Sequence, residues 1–170
     1  MNIDEHIDYS KLDGFSFSRQ FITWILTHIQ PGSTILELGS GIGSSELGKK
    51  YNMVCIENNP EYVGKFPNIK YLHAPLKDYG DYEWYDLDAI EIPSSYAAII
   101  VDGPLGMIGR MPFSDHMGRF NTDVPILVDD TSREDERALF VELRTKLNRC
   151  SEEYFFGVKG FSVVTKEPLS

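Results

Sequence analysis

One stretch near the start of the chain, residues 35–45, constrains the fold more than any other. Residues 35–38 are mainly apolar and predict a buried strand, and Gly39, Gly41 and Gly43 follow at alternating positions. Glycine adopts positive φ without steric cost, so it lets a backbone turn sharply or approach a ligand closely. The stretch therefore predicts a strand, a turn that holds a ligand, and a helix that follows it.

The glycine spacing and one acid argue against a dinucleotide as this ligand. In the pattern G-x-G-x-x-G/A the third small residue lies three positions after the second glycine. Counted from Gly41, that position is Ser44, and glycine comes one residue earlier. Glu37, just before the turn, would also repel a pyrophosphate at short range. A cationic ligand suits the turn better, and an NAD-dependent oxidoreductase stays an alternative with the same expected fold.

Length and charge limit the class of protein and of partner. The chain has 170 residues, enough for one domain with a core of its own, and we expect residues 1–170 to form that single domain. Its 26 acidic and 16 basic residues give a formal charge of -10. Phosphate binding needs a basic face, so we expect no nucleic-acid partner. An alternative interpretation is that the excess of acidic residues only keeps the protein soluble.

The two cysteines and the start of the chain bear on the compartment. Cys55 and Cys150 are not in a C-x-x-C motif, and no histidine lies at a sequence spacing typical of metal sites, so we interpret them as free thiols. The first residues show no basic segment followed by an apolar run, and no stretch reaches about 18 apolar residues. We therefore expect no membrane partner and a cytoplasmic location. The sequence leaves the oligomeric state open.

Hydrophobic periodicity predicts alternating helices and strands, the order typical of an α/β fold. A helix over 17–29 with Ser16 or Ser18 as N-cap precedes the first strand, and a Thr131–Glu134 capping box predicts a second long helix ending near residue 148. Residues 79–95 are expected to be loop with one helical turn, 1–15 an N-terminal arm, and 105–121 a loop that shapes the acceptor pocket. The predicted strands are 34–38, 53–57, 69–73, 97–102, 124–129 and an antiparallel pair at 154–158 and 161–166, with a short helix at 44–50.

Acidic residues follow the predicted strands at the points where they end. Glu57 ends the second strand, twenty positions after Glu37, where a carboxylate can accept hydrogen bonds from both hydroxyls of a ribose. Asp102 ends the buried run that begins at residue 97, and Asp129 with Asp130 ends the next. Because ligands in open α/β sheets lie beyond the carboxyl ends of the strands, these side chains should face one crevice.

Five carboxylates in one crevice require cations. Hard carboxylate oxygens suit Mg²⁺ or another divalent ion, and Asp102, Asp129 and Asp130 are the candidate ligands. Such an ion would lower the pKa of an acceptor hydroxyl and so generate an oxygen nucleophile. For Asp130 a purely structural interpretation is open as well, since an acid beside a helix N-terminus is favourable by about half a kcal/mol.

Most of the chain resembles class I S-adenosylmethionine (SAM)-dependent methyltransferases. The resemblance rests on the E-x-G-x-G-x-G pattern at residues 37–43 and on the Ile-Glu-Asn-Asn-Pro, Val-Asp-Gly-Pro and Leu-Val-Asp-Asp segments. It implies a Rossmann-like, doubly wound seven-stranded sheet of order 3-2-1-4-5-7-6 with the last strand antiparallel. The residues it implies as SAM-binding are Glu37, Gly39, Ser40, Gly41, Gly43, Glu57, Asn58, Leu76, Asp78 and Asp102.

The acids that end strands four and five resemble those of the catechol O-methyltransferase group, where an Asp and an Asp-Asn pair hold magnesium. Asp102 and Asp129 match two of these ligands, whereas Asp130 replaces the usual Asn. The lysine that serves as base in that group corresponds to Leu105 here. The resemblance thus implies metal assistance but leaves the base without its usual residue.

Short motifs around residues 102–111 are also similar to metal-using polysaccharide and sugar methyltransferases. This second likeness implies a small-molecule or carbohydrate acceptor, methylated on a hydroxyl. Arg110 would then bind an acceptor carboxylate, and His116 or Asp115 is the remaining candidate for general base. The alternative from another class is a catalytically silent module that binds SAM or a nucleotide, which the missing lysine and the short chain favour.

Overall fold

The computed structural model describes residues 7–12, 14, 16–156 and 158–167. A mixed sheet of seven strands in the order β3-β2-β1-β6-β7-β9-β8 lies at its centre, and β4 and β5 form a separate antiparallel hairpin. The strands are β1 Thr34–Leu38, β2 Asn52–Glu57, β3 Ile69–His73, β4 Leu76–Asp78, β5 Glu83–Tyr85, β6 Ala98–Val101, β7 Ile126–Asp129, β8 Cys150–Phe156 and β9 Lys159–Thr165.

Among the described residues, three α-helices flank the sheet: α1 Arg19–His28, α2 Ile42–Leu47 and α3 Glu134–Leu147. Of the two predicted N-caps, Ser18 is confirmed, because its hydroxyl accepts a hydrogen bond from the Phe21 amide at 3.1 Å, and α1 begins two residues later than predicted. Short 3₁₀ turns lie at Tyr9–Lys11, Leu87–Ala89, Met111–Ser114 and Met117–Arg119. Within the described part of the chain, each helix is too short or too polar to span a bilayer.

The direction of the strands confirms the predicted fold class. β3, β2, β1, β6 and β7 run parallel to their neighbours, whereas β9 is antiparallel to both β7 and β8. Numbered without the β4–β5 hairpin, the order is the predicted 3-2-1-4-5-7-6 in a single α/β domain. The carboxyl ends of five parallel strands therefore meet at one edge of the sheet.

The sheet separates two hydrophobic cores, and alternation along each strand decides which side chain enters which core. In β1, Ile35 packs with α1 and the Leu47 end of α2, whereas Leu36 and Leu38 pack on the opposite face with α3 and the β4–β5 hairpin. The sheet is thus covered on both faces, as its nearly continuous apolar strands predict.

One local prediction was wrong, and another, the loop with one helical turn at 79–95, has its turn at Leu87–Ala89 but missed a strand. The capping box does not form: α3 begins at Glu134 after Arg133, and the Thr131 hydroxyl instead hydrogen-bonds the Ser162 hydroxyl at 2.8 Å on β9. Residues 79–95 also contain β5, which pairs with β4 through the register Leu76↔Tyr85. Thr131 instead has a partner distant in sequence, whereas β5 pairs with the nearby β4, which places Trp84 and Tyr85 in the core.

The sequence patterns of the N-terminal arm and of the acceptor loop, residues 105–121, predict only part of their structure. Residues 1–6, 13 and 15 of the arm lie outside the described residues, but Ile7 is buried and the Asp8 amide donates to Glu46 Oε2 at 2.7 Å. The loop 105–121 contains two 3₁₀ turns and buries Arg110 and Phe113. Both segments pack against the domain where they are described.

Candidate cofactor and acceptor site

Four acids lie at the carboxyl ends of four neighbouring strands. In β1 and β2, Glu37 and Glu57 share the strand face of Ile35 and Cys55, and the same alternation puts Asp129 on the face of Leu127 in β7. Asp102 follows β6 directly, and its pKa responds to the charges of Asp129 and Glu37. The fold therefore gathers at one edge the acids that the sequence places at separate strand ends.

The glycine turn between β1 and α2 is closed by backbone packing. Gly39 has φ +98°, and a Cβ at this position would lie 3.1 Å from the Gly103 amide nitrogen. A Cβ at Gly103 would in turn lie 2.8 Å from Gly39 Cα. Because contacts this short do not accommodate a side chain, both positions require glycine and the ends of β1 and β6 pack closely.

Glu37 lies beneath this turn and is fully buried. Its Oε1 accepts from the Ser44 hydroxyl at 2.8 Å, the Cys55 thiol lies 3.4 Å from its Oε2, and the Ser44 oxygen accepts from the Gly41 amide at 2.9 Å. Burial raises the pKa of Glu37 to about 8, against the stabilising effect of the two hydrogen bonds. Glu37 thus holds the turn through Ser44, and its contact with a cofactor stays a prediction.

Glu57 stands at the end of β2 with its carboxylate held in place. The Ser40 hydroxyl donates to Oε2 at 2.6 Å, and the Asn59 amide donates to Oε1 at 2.8 Å, with half-buried Asn58 between. A Cβ at Gly41 would meet no described atom within 4 Å, so open space lies over the turn. The carboxylate of Glu57 is therefore oriented beside an open turn, and its contact with a nucleoside stays a prediction.

Two further predicted cofactor residues lie on the β4–β5 hairpin. Leu76 is half-buried at the start of β4, and Asp78 is exposed at its end. The Asp78 carboxylate accepts from the Gly80 amide at 2.7 Å and so closes its own turn. This local bond is a sufficient structural reason for Asp78, and its contact with an adenine stays a prediction.

Tyr85 is a site residue that sequence reasoning missed. Its side chain is fully buried, and its hydroxyl lies 2.4 Å from where a Gly103 Cβ would be, without a hydrogen-bond partner among the described residues. Burial raises its pKa well above the usual range, and the charges of Glu57 and Asp102 raise it further. The aromatic-rich stretch was a signal, but only the pairing of β5 shows where the hydroxyl lies.

Arg110 joins the acids at the ends of β6 and β7. Its Nη2 donates to Asp102 Oδ1 at 3.1 Å and to Asp130 Oδ2 at 3.2 Å, and its Nη1 donates to the Asp129 carbonyl at 2.9 Å. Its Nε lies 3.8 Å from Glu136 Oε1 in the first turn of α3. Arg110 is only 5% exposed, so the structure places it inside the acid cluster rather than in the loop surface.

The pKa values of Asp102 and Asp129 are both raised. Burial and the charge of Asp129 raise the pKa of Asp102 well above its usual range, although Arg110 opposes the effect. Burial, followed by the charge of Asp130, raises the pKa of Asp129 to about 6. A raised pKa makes a carboxylate a stronger proton acceptor, which is the property a general base needs.

His116, a predicted base, lies in an aromatic cluster. Its ring stacks on Trp84 with centroids 5.0 Å apart, meets Tyr79 edge-on at 4.8 Å, and its Nε2 lies 3.1 Å from the Tyr82 hydroxyl. Burial lowers its pKa. The ring thereby links the acceptor loop to the β4–β5 hairpin, and its role as base stays a prediction.

Two surface depressions, of about 600 and 580 Å³, lie away from this edge. The first is lined by residues at the amino ends of β2 and β3, including Asn52 and Ile69, and both include Lys70. Ligands in this kind of sheet bind beyond the carboxyl ends of the strands. The chemistry-bearing residues therefore identify the site better than the size of a depression does.

No family model matches the sequence, and no curated protein matches it. The structure, by contrast, is similar to solved structures over most of its length. A methyltransferase from Pyrococcus furiosus shares 15% identity, with 93% of this chain and 86% of that chain covered and a TM-score of 0.55. This chain has the methyltransferase fold.

Two further solved structures have the same fold. An S-adenosylhomocysteine-bound methyltransferase from Podospora anserina shares 14% identity over 98% of this chain and 88% of its own, with a TM-score of 0.54. A ribosomal protein methylase from Lactobacillus delbrueckii shares 11% identity over 86% of this chain and 76% of its own, also with a TM-score of 0.54. At these identities the likeness concerns the fold, and chemistry has to be argued from the site.

Proposed function

We propose that the protein is a SAM-dependent methyltransferase that methylates a hydroxyl group of a small molecule or sugar. The carboxylate of Glu57, fixed by Ser40 and Asn59 beside the open space over Gly41, is the observation that carries this proposal. The methyltransferase from Podospora anserina, which has the same fold, is bound to S-adenosylhomocysteine.

The residues at the turn fit the chemistry of SAM. Glu57 would accept hydrogen bonds from the ribose hydroxyls, with Asn58 beside it, and the glycine backbone with Glu37 below would hold the cationic methionine end. The cofactor carries no phosphate, so the acids that disfavour NAD do not oppose it. Bound SAM would supply a methyl group activated by its sulfonium, while the protein's part is to position the two reactants.

Asp102 is the proposed general base. Its side chain is 22% exposed at the end of β6, so it is open to a ligand, and burial raises its pKa, which makes the carboxylate a stronger proton acceptor. The acceptor loop follows it directly, with Leu105 and Met107 strongly exposed. Asp102 would take the proton of the acceptor hydroxyl while these residues contact the acceptor.

The fit of a divalent ion is incomplete. Asp102, Asp129 and Asp130 offer carboxylate oxygens within 4.8 Å of one another, which is the right donor type for Mg²⁺. Arg110, however, already binds one oxygen of Asp102 and one of Asp130. These residues therefore do not fit a divalent ion while Arg110 is in place.

Calorimetry with SAM and S-adenosylhomocysteine tests the cofactor assignment. We expect both to bind, and we expect the variant Glu57→Gln to bind more weakly, because an amide accepts fewer hydrogen bonds than a carboxylate. The variant Glu61→Gln, at an exposed position on the next loop, is the matched control. If neither ligand produces heat of binding with the folded wild-type protein, the proposal is refuted.

A silent SAM-binding module is the second candidate. It is favoured by Leu105, which stands where the related enzymes have a lysine, and by the ion pairing of Asp102 with Arg110. Incubation with radiolabelled SAM and a panel of sugars, uronic acids and catechols separates the two. Label transfer that Asp102→Asn abolishes, with SAM binding retained, supports the enzyme; binding without transfer to any class supports the module.

A further inference from the structure

The acid cluster at the ends of β6 and β7 already contains a cation of the protein's own. We infer that the guanidinium of Arg110 is the resident cation of the Asp102, Asp129 and Asp130 cluster, and that it takes the place of a divalent metal ion there. The inference concerns the site of the proposed function, but binding measurements test it without any methyl transfer.

The geometry of Nη2 is the first support. This one nitrogen lies within hydrogen-bond distance of Asp102 Oδ1 and of Asp130 Oδ2, so it bridges carboxylates from two different strand ends. A metal ion would have to use oxygens of the same carboxylates. Charge-assisted hydrogen bonds of this kind are stronger than neutral ones and fix the orientation of both partners.

The second support is that Arg110 is anchored by more than the acids. Its Nη1 donates to the main-chain carbonyl of Asp129, which belongs to β7 and cannot rotate away as a side chain can. The backbone on both sides is fixed as well: the Gly109 amide donates to the Leu105 carbonyl at 3.2 Å, and the next turn buries Phe113. Displacing the guanidinium would therefore require movement of the loop.

Burial and charge are the third support. Arg110 is 5% exposed, and Glu136, at 4% exposure in α3, lies against its Nε. Arginine keeps its charge under all ordinary conditions and presents several donors in a planar fork, which suits a buried site among several carboxylates. Arg133 reaches Asp130 and Glu136 too, at 3.1 and 3.9 Å, but its side chain is 55% exposed. Arg110 is thus the inner cation, and Arg133 is the matched outer one.

The test compares the binding of Mn²⁺ alone to the wild-type protein and to its variants, measured by electron paramagnetic resonance and calorimetry. In the wild-type protein we expect no saturable Mn²⁺ site that depends on Asp102. In Arg110→Met we expect such a site to appear, with affinity at least about tenfold higher than in wild type, and to disappear again when Asp102→Asn is added. Arg133→Met should not create it, because Arg110 stays in the cluster.

Thermal unfolding gives a second readout in case loss of Arg110 destabilises the fold. The melting temperature of Arg110→Ala should rise on addition of low millimolar guanidinium or Mn²⁺, since either cation can replace the missing charge. The melting temperature of the control Arg137→Ala, on the exposed face of α3, should not rise.

The inference is overturned if wild-type protein binds Mn²⁺ stoichiometrically and Asp102→Asn abolishes that binding, since metal and Arg110 would then coexist. It is also overturned if neither cation binds or stabilises the folded Arg110 variants. If no Arg110 variant folds, the wild-type titration with its Asp102→Asn control still decides. Failure to bind SAM would refute the proposed function and leave this inference standing.

Discussion

The replacement Glu37→Gln should stabilise the protein at neutral pH. Glu37 is fully buried, and its pKa is raised from an ordinary value of 4.5 to about 8. The native state therefore holds a proton on Glu37 that the unfolded chain releases once the pH exceeds 4.5. Ionisation of the unfolded state costs stability in this window, and glutamine, which never ionises, removes the cost.

The magnitude follows from the gap between the two pKa values. At about 1.4 kcal/mol per pH unit, the gain for Glu37→Gln is about 3 kcal/mol at pH 7, about 5 kcal/mol above pH 8, and below about 1 kcal/mol at pH 5. These are upper bounds, because glutamine puts an amide NH2 where Glu37 Oε2 now accepts from the Cys55 thiol, while its oxygen keeps the bond from Ser44. The sign is fixed by the direction of the shift: the advantage of glutamine grows as pH rises.

Urea unfolding at pH 5, 7 and 8.5 measures the difference directly. Glu61→Gln, at an exposed position, should follow the wild-type pH dependence and serves as control. A stability difference between Glu37→Gln and wild type that does not change with pH would refute the reasoning, since it would show that Glu37 does not hold a proton in the native state.

The same variant tests the role of Glu37 towards the cofactor. A cation close to Glu37 would favour its ionised form, so SAM binding should release a proton and tighten as the pH rises towards about 8. Glu37→Gln should lose both effects. Calorimetry in two buffers of different ionisation enthalpy detects the proton, and equal heats in both would show that SAM does not sense this carboxyl.

Three other predictions concern the turn and the base. Gly41→Ala should leave the melting temperature unchanged, because the alanine Cβ would meet no described atom within 4 Å. In calorimetry it should weaken SAM binding, because the added methyl group would occupy the open space over the turn. An unchanged affinity would show that the cofactor binds elsewhere. Gly103→Ala should cost about 1–3 kcal/mol of unfolding free energy, since its Cβ would lie 2.4 Å from the Tyr85 hydroxyl; the control is Gly106→Ala, where the nearest contact is 3.7 Å. Once an acceptor is found, kcat/KM should rise with pH as Asp102, whose pKa is raised, loses its proton, and a flat profile would exclude it as base.

Much of the fold was predictable because it depends on local patterns. Continuous apolar runs identify strands buried on both faces, and the spacing of glycines after Leu38 marks the turn into α2. The predicted bounds of β1 and β3 are confirmed. The missed strand β5 is short, and only its pairing with β4 distinguishes it from loop.

The candidate site was predictable as a set of residues but not as a set of contacts. The acids at the strand ends could be read from the sequence, because any parallel sheet brings such ends to one edge. The partners of these acids could not. Tyr85 lies against Gly103 only because the β4–β5 hairpin packs in the core that contains Leu36 and Leu38, and Thr131 pairs with Ser162 only because β9 lies beside β7.

Arg110 shows most clearly where the sequence stops and the tertiary structure decides. By itself the sequence determined an α/β sheet, a glycine turn for a cationic ligand, and carboxylates at its edge. In a loop rich in glycine, Arg110 looked free to bind an acceptor, whereas the structure buries it among Asp102, Asp130 and Glu136. The physical reason is that a charge buried by folding must be paired, and its partners come from three elements that only the fold brings together.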